Sequence, residues 1–589
     1  MATKRKLSVL WNHFVEDETG KRAKCNYCLQ YISISSGSVG NLGRHIKNKH
    51  PAIIVSVERQ SIGETGGQNL ENIASSSNLK PTQVTNSEID KQVIKMISKG
   101  HHALRIVEEP EFKKLINMVS HCPGYQLPTR TTLTNNFLTN SYNELRNKLK
   151  VKIETTRAVC LTTDSWTSRT NENYIAITAH YIDEQTNLCS SLIECKKYNH
   201  THTGENLCKV LKETMAEWNI SYKIVAVVSD NASNILAAVR LGGWRSIGCF
   251  AHSLNLVVQK ATKEISDVLV KVKAIVEFFK RSCQALQSLQ DTQNRMGLPS
   301  LKLKQDVPTR LNSTFDMLDR ILKLKDAIIT TIALLRSDLS LDQLDWQIIE
   351  EVIPILKPFY EVSAEISSEK NVTLSKVIVF NKLLQGFLAK TSPVHVKVIA
   401  LRDVLKQQMN KRFCEIENNV LFAECTVLDP RFKKLGFKNE QAFEIAVQGL
   451  RNKVGHVTIP DPAKSPLADV TNTASADANI SNSSIWDDYD DIIITKTTPE
   501  NKLATGIREV DKYLSEDYLN RKTNPLEWWE ERKLIYPHIY AYLLKRFCIV
   551  ATSVPCERIF SGTGQIINER RTLLKSKNVE KLIFLNHNL

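Results

Sequence analysis

The sequence lacks any run of apolar residues that approaches the roughly 20 needed to span a bilayer as a helix. Its first residues, MATKRKLSVLW, do not contain the apolar core of a secretory signal. We also find no internal repeat. We therefore expect neither a membrane span nor a secretory route.

The chain also lacks the cysteine pattern of a disulfide-stapled protein. Its 13 cysteines are an odd number scattered over 589 residues, which argues for a reducing compartment. The 78 Lys and Arg exceed the 63 Asp and Glu, which gives a formal net charge of +15. This surplus favours a polyanionic partner, because cations placed on phosphates release condensed counterions. The alternative is a merely soluble basic protein.

The stretch KCNYCLQYISISSGSVGNLGRHIKNKH contains four residues of the types that bind zinc. Cys25 and Cys28 form a C-x2-C pair and His45 and His50 an H-x4-H pair, with 16 residues between the pairs. A turn followed by a helix with two histidines can supply the tetrahedral N and S ligands of Zn²⁺. Because so short a segment has little core, the metal would supply much of its folding free energy. The alternative is a chance spacing.

After this segment the residue pattern changes several times along the chain. Residues 56–88 have the composition of a flexible linker, and residues 459–500 that of a disordered loop. Between them, AVCLTTDSW, YIAITAHYI and CSSLIECKKY are strand-like and precede a helix, the strand KIVAVVSD and a second helix. SIGCFAHSLNLVV is a further strand or a strand–helix junction. This order predicts a mixed α/β sheet with an antiparallel first half, followed by a mainly helical region.

Two aspartates close strands of this predicted sheet. Asp164 follows the first strand and Asp230 the fourth. Carboxylates at the ends of neighbouring strands can converge on divalent cations, and two such ions about 4 Å apart support phosphoryl transfer. An aspartate that merely caps a turn is the alternative.

Five short sequence motifs occur along the chain in this order: TTDSWTS, VVSDNASN, CFAHSLNL, VLDPRFK and VPCERIFSGTG. Together they resemble the hAT superfamily of DNA transposases. The first 50 residues, with Trp11 and Phe14 before the zinc ligands, resemble the BED-type finger that hAT members often carry. The likeness runs from the finger to the C-terminal end and is weakest in the linker and the helical middle.

The resemblance implies a multidomain α+β protein with an RNase H-like domain interrupted by a large helical insertion. The resemblance implies six segments along the chain. They are a BED finger (1–55), a flexible linker (56–88), a helical intermediate domain (89–156), the first part of the catalytic domain (157–265), the helical insertion with its loop at about 459–500 (266–506), and the dimerisation region with the last catalytic helix (507–589). The tryptophans and apolar residues of the last segment suit either a subunit interface or a core. They are Trp528, Trp529, Ile535, Tyr536, Leu543 and Leu544.

The resemblance also assigns site residues. The family's acidic triad corresponds to Asp164, Asp230 and Glu557, which would bind Mg²⁺ or Mn²⁺. Cys249 and His252 match its C-x2-H motif near the scissile phosphate, with a buried structural pair as the alternative.

Other assignments concern DNA contacts. By helical spacing and side-chain type, the finger residues that would face the major groove are Ser38, Asn41, Arg44 and Lys47. A solvated helix face is the alternative for any of them. The family's Arg-Trp pair corresponds to Arg310 and Leu311, so Arg310 is retained while the tryptophan expected to stack on an extruded base is absent. We expect this replacement to weaken hairpin-forming cleavage more than binding.

These features predict a nuclear, zinc-containing protein that binds double-stranded DNA as a dimer or higher oligomer, and that cuts and joins DNA if its acidic triad is active. The first alternative is a catalytically silent transposase descendant that regulates transcription. The second is a dimeric scaffold that recruits other proteins. No small-molecule substrate is expected.

Overall fold

The computed structural model describes residues 13–17, 22–34, 40–50, 85–119, 124–168, 171–307, 312–459, 502–566 and 574–589. Contacts divide the chain into two compact units, Met1–Pro81 and Thr82–Leu589. In the described ranges, none of the helices combines the length and the apolar character that a bilayer crossing requires.

The first unit is a small antiparallel sheet followed by one helix. Its elements, in chain order, are β1 Phe14–Glu16, β2 Arg22–Cys25, β3 Tyr31–Ser33 and α1 Gly40–Lys49. Among the described residues of this unit, the hydrophobic cluster contains six buried residues, namely Phe14, Ala23, Cys25, Ile34, Leu42 and Ile46. A core of this size stabilises a fold weakly, so the unit depends on a further constraint such as a metal.

The second unit is built on a five-stranded mixed sheet. Its strands are β4 Val159–Thr167, β5 Asn173–Ile182, β6 Leu188–Lys197, β7 Ile224–Ser229 and β8 Ser246–Gly248. The spatial order is β6-β5-β4-β7-β8, with antiparallel pairing among β4, β5 and β6 and parallel pairing of β4 with β7 and β7 with β8. The predicted mixed sheet with an antiparallel first half is confirmed. SIGCFAHSLNLVV forms a strand–helix junction.

Helices surround this sheet and form the rest of the unit. Those before and within the sheet region are α2 Asn86–Lys99, α3 Pro110–Val119, α4 Arg130–Thr132, α5 Leu138–Glu154, α6 Gly204–Glu217, α7 Ser233–Leu241 and α8 Phe250–Ala261. Those of the helical region are α9 Ser266–Arg281, α10 Cys283–Arg295, α11 Ser313–Lys323, α12 Lys325–Leu335, α13 Gln343–Ile366, α14 Lys376–Lys390, α15 Val396–Phe413, α16 Val420–Leu428 and α17 Glu440–Gly455. Those of the last segment are α18 Lys502–Ser515, α19 Pro525–Glu531, α20 Pro537–Phe547, α21 Val554–Ile566 and α22 Ser576–Asn588.

Strand β4 is the centre of the sheet, and both of its faces are covered. Val159 and Leu161 belong to a cluster with helices α6 and α7, whereas Cys160 belongs to the large core of the helical region. Such two-sided burial produces the continuous apolar run of a central strand. The buried run ends just before Asp164, where side chains begin to alternate with solvent.

The last segment of the chain packs in two different places. Helices α18 to α20 join the core of the helical region through residues such as Tyr513, Trp529 and Leu543. Helices α21 and α22 instead pack with the sheet and with α2. The tryptophans of this segment are core residues, since Trp528 and Trp529 are 8% and 0% exposed, while Ile535 is 50% exposed. The domain boundaries given above stay predictions.

The VLDPRFK motif, residues 427–433, joins the helical region to α18 and α19. Asp429 is fully buried and accepts two hydrogen bonds from the Arg431 guanidinium, at 2.8 and 2.6 Å, and one from the Ser375 hydroxyl. Lys433, also buried, donates its ammonium to the carbonyls of Tyr513 and Glu516 at 2.8 and 2.7 Å. The buried charged groups thus have hydrogen-bond partners within the protein in place of water, so the motif has a structural role.

We expect Arg431→Ala to lower the free energy of unfolding by about 3–5 kcal/mol, because it leaves the buried Asp429 carboxylate without its cation. Guanidinium denaturation of the full chain measures the change. The control Arg336→Ala breaks a pair with Asp338 whose side chains are 49% and 62% exposed, and it should cost less than about 1 kcal/mol. Equal costs for the two variants would contradict this role of Arg431.

Candidate functional site

The four ligands predicted in the finger lie together. Their ligand atoms all lie within 4.8 Å of one another, and among the described residues no other group of three or more His, Cys, Asp and Glu does so. Cys28 Sγ lies 3.2 Å from His45 Nε2, and Cys25 Sγ lies 3.5 Å from His50 Nε2. Zn–S and Zn–N bonds of ordinary length at tetrahedral angles separate S and N by about 3.6 Å. The donor set therefore fits zinc.

Local structure explains why these residues meet. Cys25 and Cys28 flank a tight turn in which the Leu29 N–H donates to the Cys25 carbonyl at 3.0 Å. His45 lies on α1 with its ring 5.9 Å from that of Phe14, edge to face. Burial, His50 and Lys49 lower the pKa of His45, which favours the neutral imidazole that a metal binds.

The structure describes only some of the predicted DNA-contacting residues. Asn41 and Arg44 are exposed on α1, and the Asn41 amide donates to the Ser33 carbonyl at 3.3 Å. Ser38 lies outside the described residues, as does the side chain of Lys47. Groove contact by this face stays a prediction.

The sheet register places Asp164 beside Asp230. In the parallel pair of β4 and β7, Thr162 lies opposite Val228, so the residues two positions further on are Asp164 and Asp230. Asp230 directly follows β7, but Asp164 lies within β4, three residues before its end at Thr167, so the prediction that Asp164 closes its strand is wrong. Both aspartates line a small cavity of about 70 Å³. The structure therefore brings the two residues together at one edge of the sheet, and their role as cation ligands stays a prediction.

Glu557 reaches the same edge on helix α21. Cys556 is buried against the sheet, with its sulfur 3.3 Å from the hydroxyl of Thr162, two residues before Asp164. One turn later the ring of Phe560 stacks on Trp166, with centroids 5.8 Å apart. These two contacts fix α21 on strand β4 and bring the carboxylate beside Cys556 close to Asp164.

The three carboxylates interact electrostatically. Burial, reinforced by repulsion from Asp230 and Glu557, raises the pKa of Asp164 to about 7. Burial and, less strongly, Asp230 also raise the pKa of Glu557, while the neighbouring Arg558 opposes this shift. Within the described ranges, no lysine or arginine forms an ion pair with any of the three, and the neighbouring Arg558 pairs with Glu369 at 2.5 Å.

This donor set has the chemistry of a divalent-cation site. Hard oxygen ligands with unbalanced negative charge are what Mg²⁺ and Mn²⁺ prefer. The three groups do not all approach within 4.8 Å of one another, so they are less tightly gathered than the zinc ligands. The arrangement fits cation binding in residue type and charge.

Cys249 connects the sheet to the segment before Glu557. It is the N-cap of α8, and its buried sulfur accepts the N–H groups of His252 and Ser553, each at 3.4 Å. Burial raises the pKa of the Cys249 thiol. The cysteine is therefore a structural tie, as the alternative for the C-x2-H pair supposes. His252 is half-buried on α8, and its catalytic role stays a prediction.

Arg310 and Leu311 lie outside the described residues. Asn312, the next residue, has φ of 71° and begins α11. The expected consequence of Leu311 thus rests on sequence alone.

Sequence reasoning missed the buried polar cluster behind the triad. On β5, the Thr178 hydroxyl lies 3.1 Å from His180 Nε2. The Thr162 hydroxyl on β4 lies 3.3 Å from the same nitrogen. Burial lowers the pKa of His180 to about 3, so the imidazole is neutral. The available signal was the polar residues of TTDSW and ITAHYI, which interrupt otherwise apolar buried strands.

Comparison with known protein families assigns four parts of the chain. A BED zinc finger matches residues 8–51, and a hAT family C-terminal dimerisation region matches residues 509–589. Between them, the ZBED1 RNase-like domain matches residues 162–241 and the ZBED1 RNase-like helical domain matches residues 247–354. Asp164 and Asp230 fall in the RNase-like match, and Glu557 falls in the dimerisation match.

Whole-chain relatives agree with these matches. Zinc finger BED domain-containing protein 4 of Homo sapiens is 25% identical over 99% of this chain, which spans 52% of that protein's length. Zinc finger BED domain-containing protein 6 of Mus musculus is 24% identical over the whole chain and 70% of its own length. A Zea mays protein named "Putative AC transposase" is 26% identical over 82% of this chain and 63% of its own length.

The fold and the matches together define a multidomain α+β protein with an RNase-like sheet and a helical region. This chain carries a BED zinc finger near its N-terminal end and a hAT dimerisation region at its C-terminal end, and its homologues are BED finger proteins and AC transposases.

We expect the purified chain to contain one zinc ion, and Cys28→Ser to contain none, because three ligands hold the metal far more weakly than four. Elemental analysis of the full-length protein measures this ratio. Cys283→Ser is the matched control: Cys283 is exposed on α10 of the second unit and is not among the grouped ligands, so its replacement should leave the zinc content unchanged. Equal zinc in the two variants would contradict the assigned ligands.

Proposed function

We propose that this chain is a nuclear DNA-binding protein of hAT type that has kept a metal-dependent site for phosphodiester cleavage. The observation that carries the proposal is the meeting of Asp164, Asp230 and Glu557 at one sheet edge, where the described residues form no ion pair with them and Arg558 offsets only part of the charge on Glu557. Three mutually repelling carboxylates destabilise a metal-free protein. Their retention is accounted for by a bound cation.

Each residue has a distinct part in this site. Asp164 and Asp230 are fixed by the sheet and Glu557 by α21, so the cation ligands come from separately anchored elements. When bound, Mg²⁺ or Mn²⁺ supplies charge stabilisation and activates the attacking oxygen. Cys249 acts as a positioning residue, because its bond to the Ser553 N–H fixes the start of the helix that carries Glu557.

The finger would select the DNA and the C-terminal region would join subunits. The exposed face of α1 with Asn41 and Arg44 is available to read base edges in a duplex. Two or more fingers in one assembly raise the effective affinity for paired sites without any new contact. Zinc-finger binding to double-stranded DNA also accounts for the nuclear location we propose.

A silent descendant that regulates transcription is the second candidate function. It is favoured by Leu311, since leucine provides no aromatic face for an extruded base. In this case the finger and dimer would be retained while the acidic residues would have no catalytic role.

We expect the zinc-loaded chain to nick supercoiled plasmid in the presence of Mn²⁺, and Asp164→Asn to reduce the rate by about 100-fold or more, because the variant loses a cation ligand. Asp338→Asn, an exposed carboxylate-to-amide change, should leave the rate unchanged. Agarose electrophoresis with and without chelator follows the reaction.

Two further readouts separate the candidates. Mn²⁺ should raise the Tm of the native chain and leave that of Asp164→Asn unchanged, because only the intact site binds the cation. Native protein that binds a duplex and neither nicks it nor shifts its Tm with Mn²⁺ would overturn the enzymatic proposal and favour the silent regulator.

A further inference from the structure

A basic cleft lies between the segment before α3, helix α4 with the turn that follows it, and the start of α22. We call it the 102–582 cleft, after the first and last residues that line it. Its volume is about 580 Å³. Its lining includes His102, Arg105, Arg130 and Lys575 and contains no acidic side chain. A cavity of this size with only one sign of charge attracts counter-ions of the opposite sign.

Its cations are available to a ligand. Arg105 pairs with Glu109 at 3.2 Å, but the two side chains are 70% and 49% exposed, so breaking the pair costs little. Arg130 and Lys575 are exposed, and neither forms an ion pair within the part of the chain that the structure describes. The cleft therefore has two cations, Arg130 and Lys575, that no carboxylate of the described residues neutralises in an ion pair.

The walls of the cleft are rigid. Leu104 and Leu582, which line it, are 8% and 3% exposed and belong to one hydrophobic cluster. On α22, Lys581 donates to the Thr139 hydroxyl at 2.8 Å, and the Asn586 amide donates to the Ser98 carbonyl at 2.8 Å. These bonds join α22 to α5 and α2, so the basic groups on the two walls keep a fixed separation.

The chemistry of the lining favours a sugar–phosphate backbone over a base. No aromatic side chain except His102 lines the cleft, so it lacks an extended platform on which bases stack. Its other polar groups are the hydroxyls of Thr131 and Thr134 and the amides of Asn135 and Asn578, which donate to phosphate oxygens. In addition, α22 begins without a side-chain cap, and the N-terminal end of a helix favours an anion.

We propose that the 102–582 cleft binds the phosphate backbone of double-stranded DNA. This sequence-independent contact would act in addition to the contact made by the finger. The proposal extends the DNA binding proposed above and does not require catalysis. The proposal also gives a role to part of the net charge of +15. The basic side chains of the cleft belong neither to the zinc ligands nor to the triad.

The test uses a double variant, Arg130→Gln with Lys575→Gln, which removes two positive charges from the cleft. The matched control, Lys411→Gln with Arg412→Gln, removes the same two charges from the exposed end of α15. Fluorescence anisotropy of a random-sequence duplex is measured between about 50 and 200 mM salt on the full-length, zinc-loaded protein. Thermal melting checks that both variants stay folded.

We expect the slope of log K against log salt to become shallower by about 2 in the cleft variant, because each lost phosphate contact removes about 0.9. The control should keep the native slope. An unchanged slope in the cleft variant, or an equal loss in the control, would overturn the proposal.

The same measurement in a Cys28→Ser background separates this inference from the role of the finger. If the cleft binds independently, the finger-defective chain keeps residual binding, and the cleft variant reduces its slope by the same amount. If the finger-defective chain binds a cognate site as well as the native chain does, the proposed role of the finger fails while the cleft result stands. If the residual binding is insensitive to the cleft variant, the cleft proposal fails alone.

Discussion

The return of the chain to its own sheet is the constraint on which the site depends. After about 300 residues the backbone meets the start of α8 again, where the Phe250 N–H donates to the Ala551 carbonyl at 2.9 Å and the Ser553 N–H donates to the Cys249 sulfur at 3.4 Å. Closing a segment of this length costs only slightly more entropy than closing one of half the length. The buried contacts of α21 offset that cost. Glu557 faces the two aspartates only because this junction holds.

The helical region must be rigid for the junction to be precise. Its large core includes residues from α8 to α20; Lys433 fixes α18 to it, and the Trp529 indole N–H, which donates to the Leu428 carbonyl at 3.0 Å, fixes α19. A second buried network joins Glu424 of α16 to Arg546 of α20 at 2.7 Å, one turn before the returning segment. Buried charges of this kind are costly unless every partner is in place, so they favour one arrangement of the helices over near alternatives. The position of Glu557 thus depends on the packing of helices that lie far from it in the sequence.

The sequence predicted the parts of the site that are local or periodic. Asp164 and Asp230 were found because each follows the apolar part of a strand, and the zinc ligands because their spacing is short and chemically specific. Glu557 came only from the resemblance to a family, because its partners lie more than 300 residues away and its own surroundings look like an ordinary helix start. The tie formed by Lys433 could not be predicted, since it depends on a backbone with φ of 39° and on carbonyls some 80 residues further on. Side-chain burial likewise decided that Trp529 is core, which its apolar character alone left open.

Separate requirements for binding and cleavage explain how one chain can keep an acidic site beside an altered DNA-contacting position. The finger forms its own compact unit, with a core of six residues and four metal ligands. Its stability therefore does not depend on the triad. The triad, in contrast, is embedded in the sheet on which α21 and α22 pack, and these helices also form the end of the dimerisation match. Loss of strand β4 or α21 would disturb that region as well. Dimerisation through this region thus requires the strand and the helix that surround Asp164 and Glu557, but it does not require their carboxylates, so the chemical role of the carboxylates is separable from the packing of the elements that bear them.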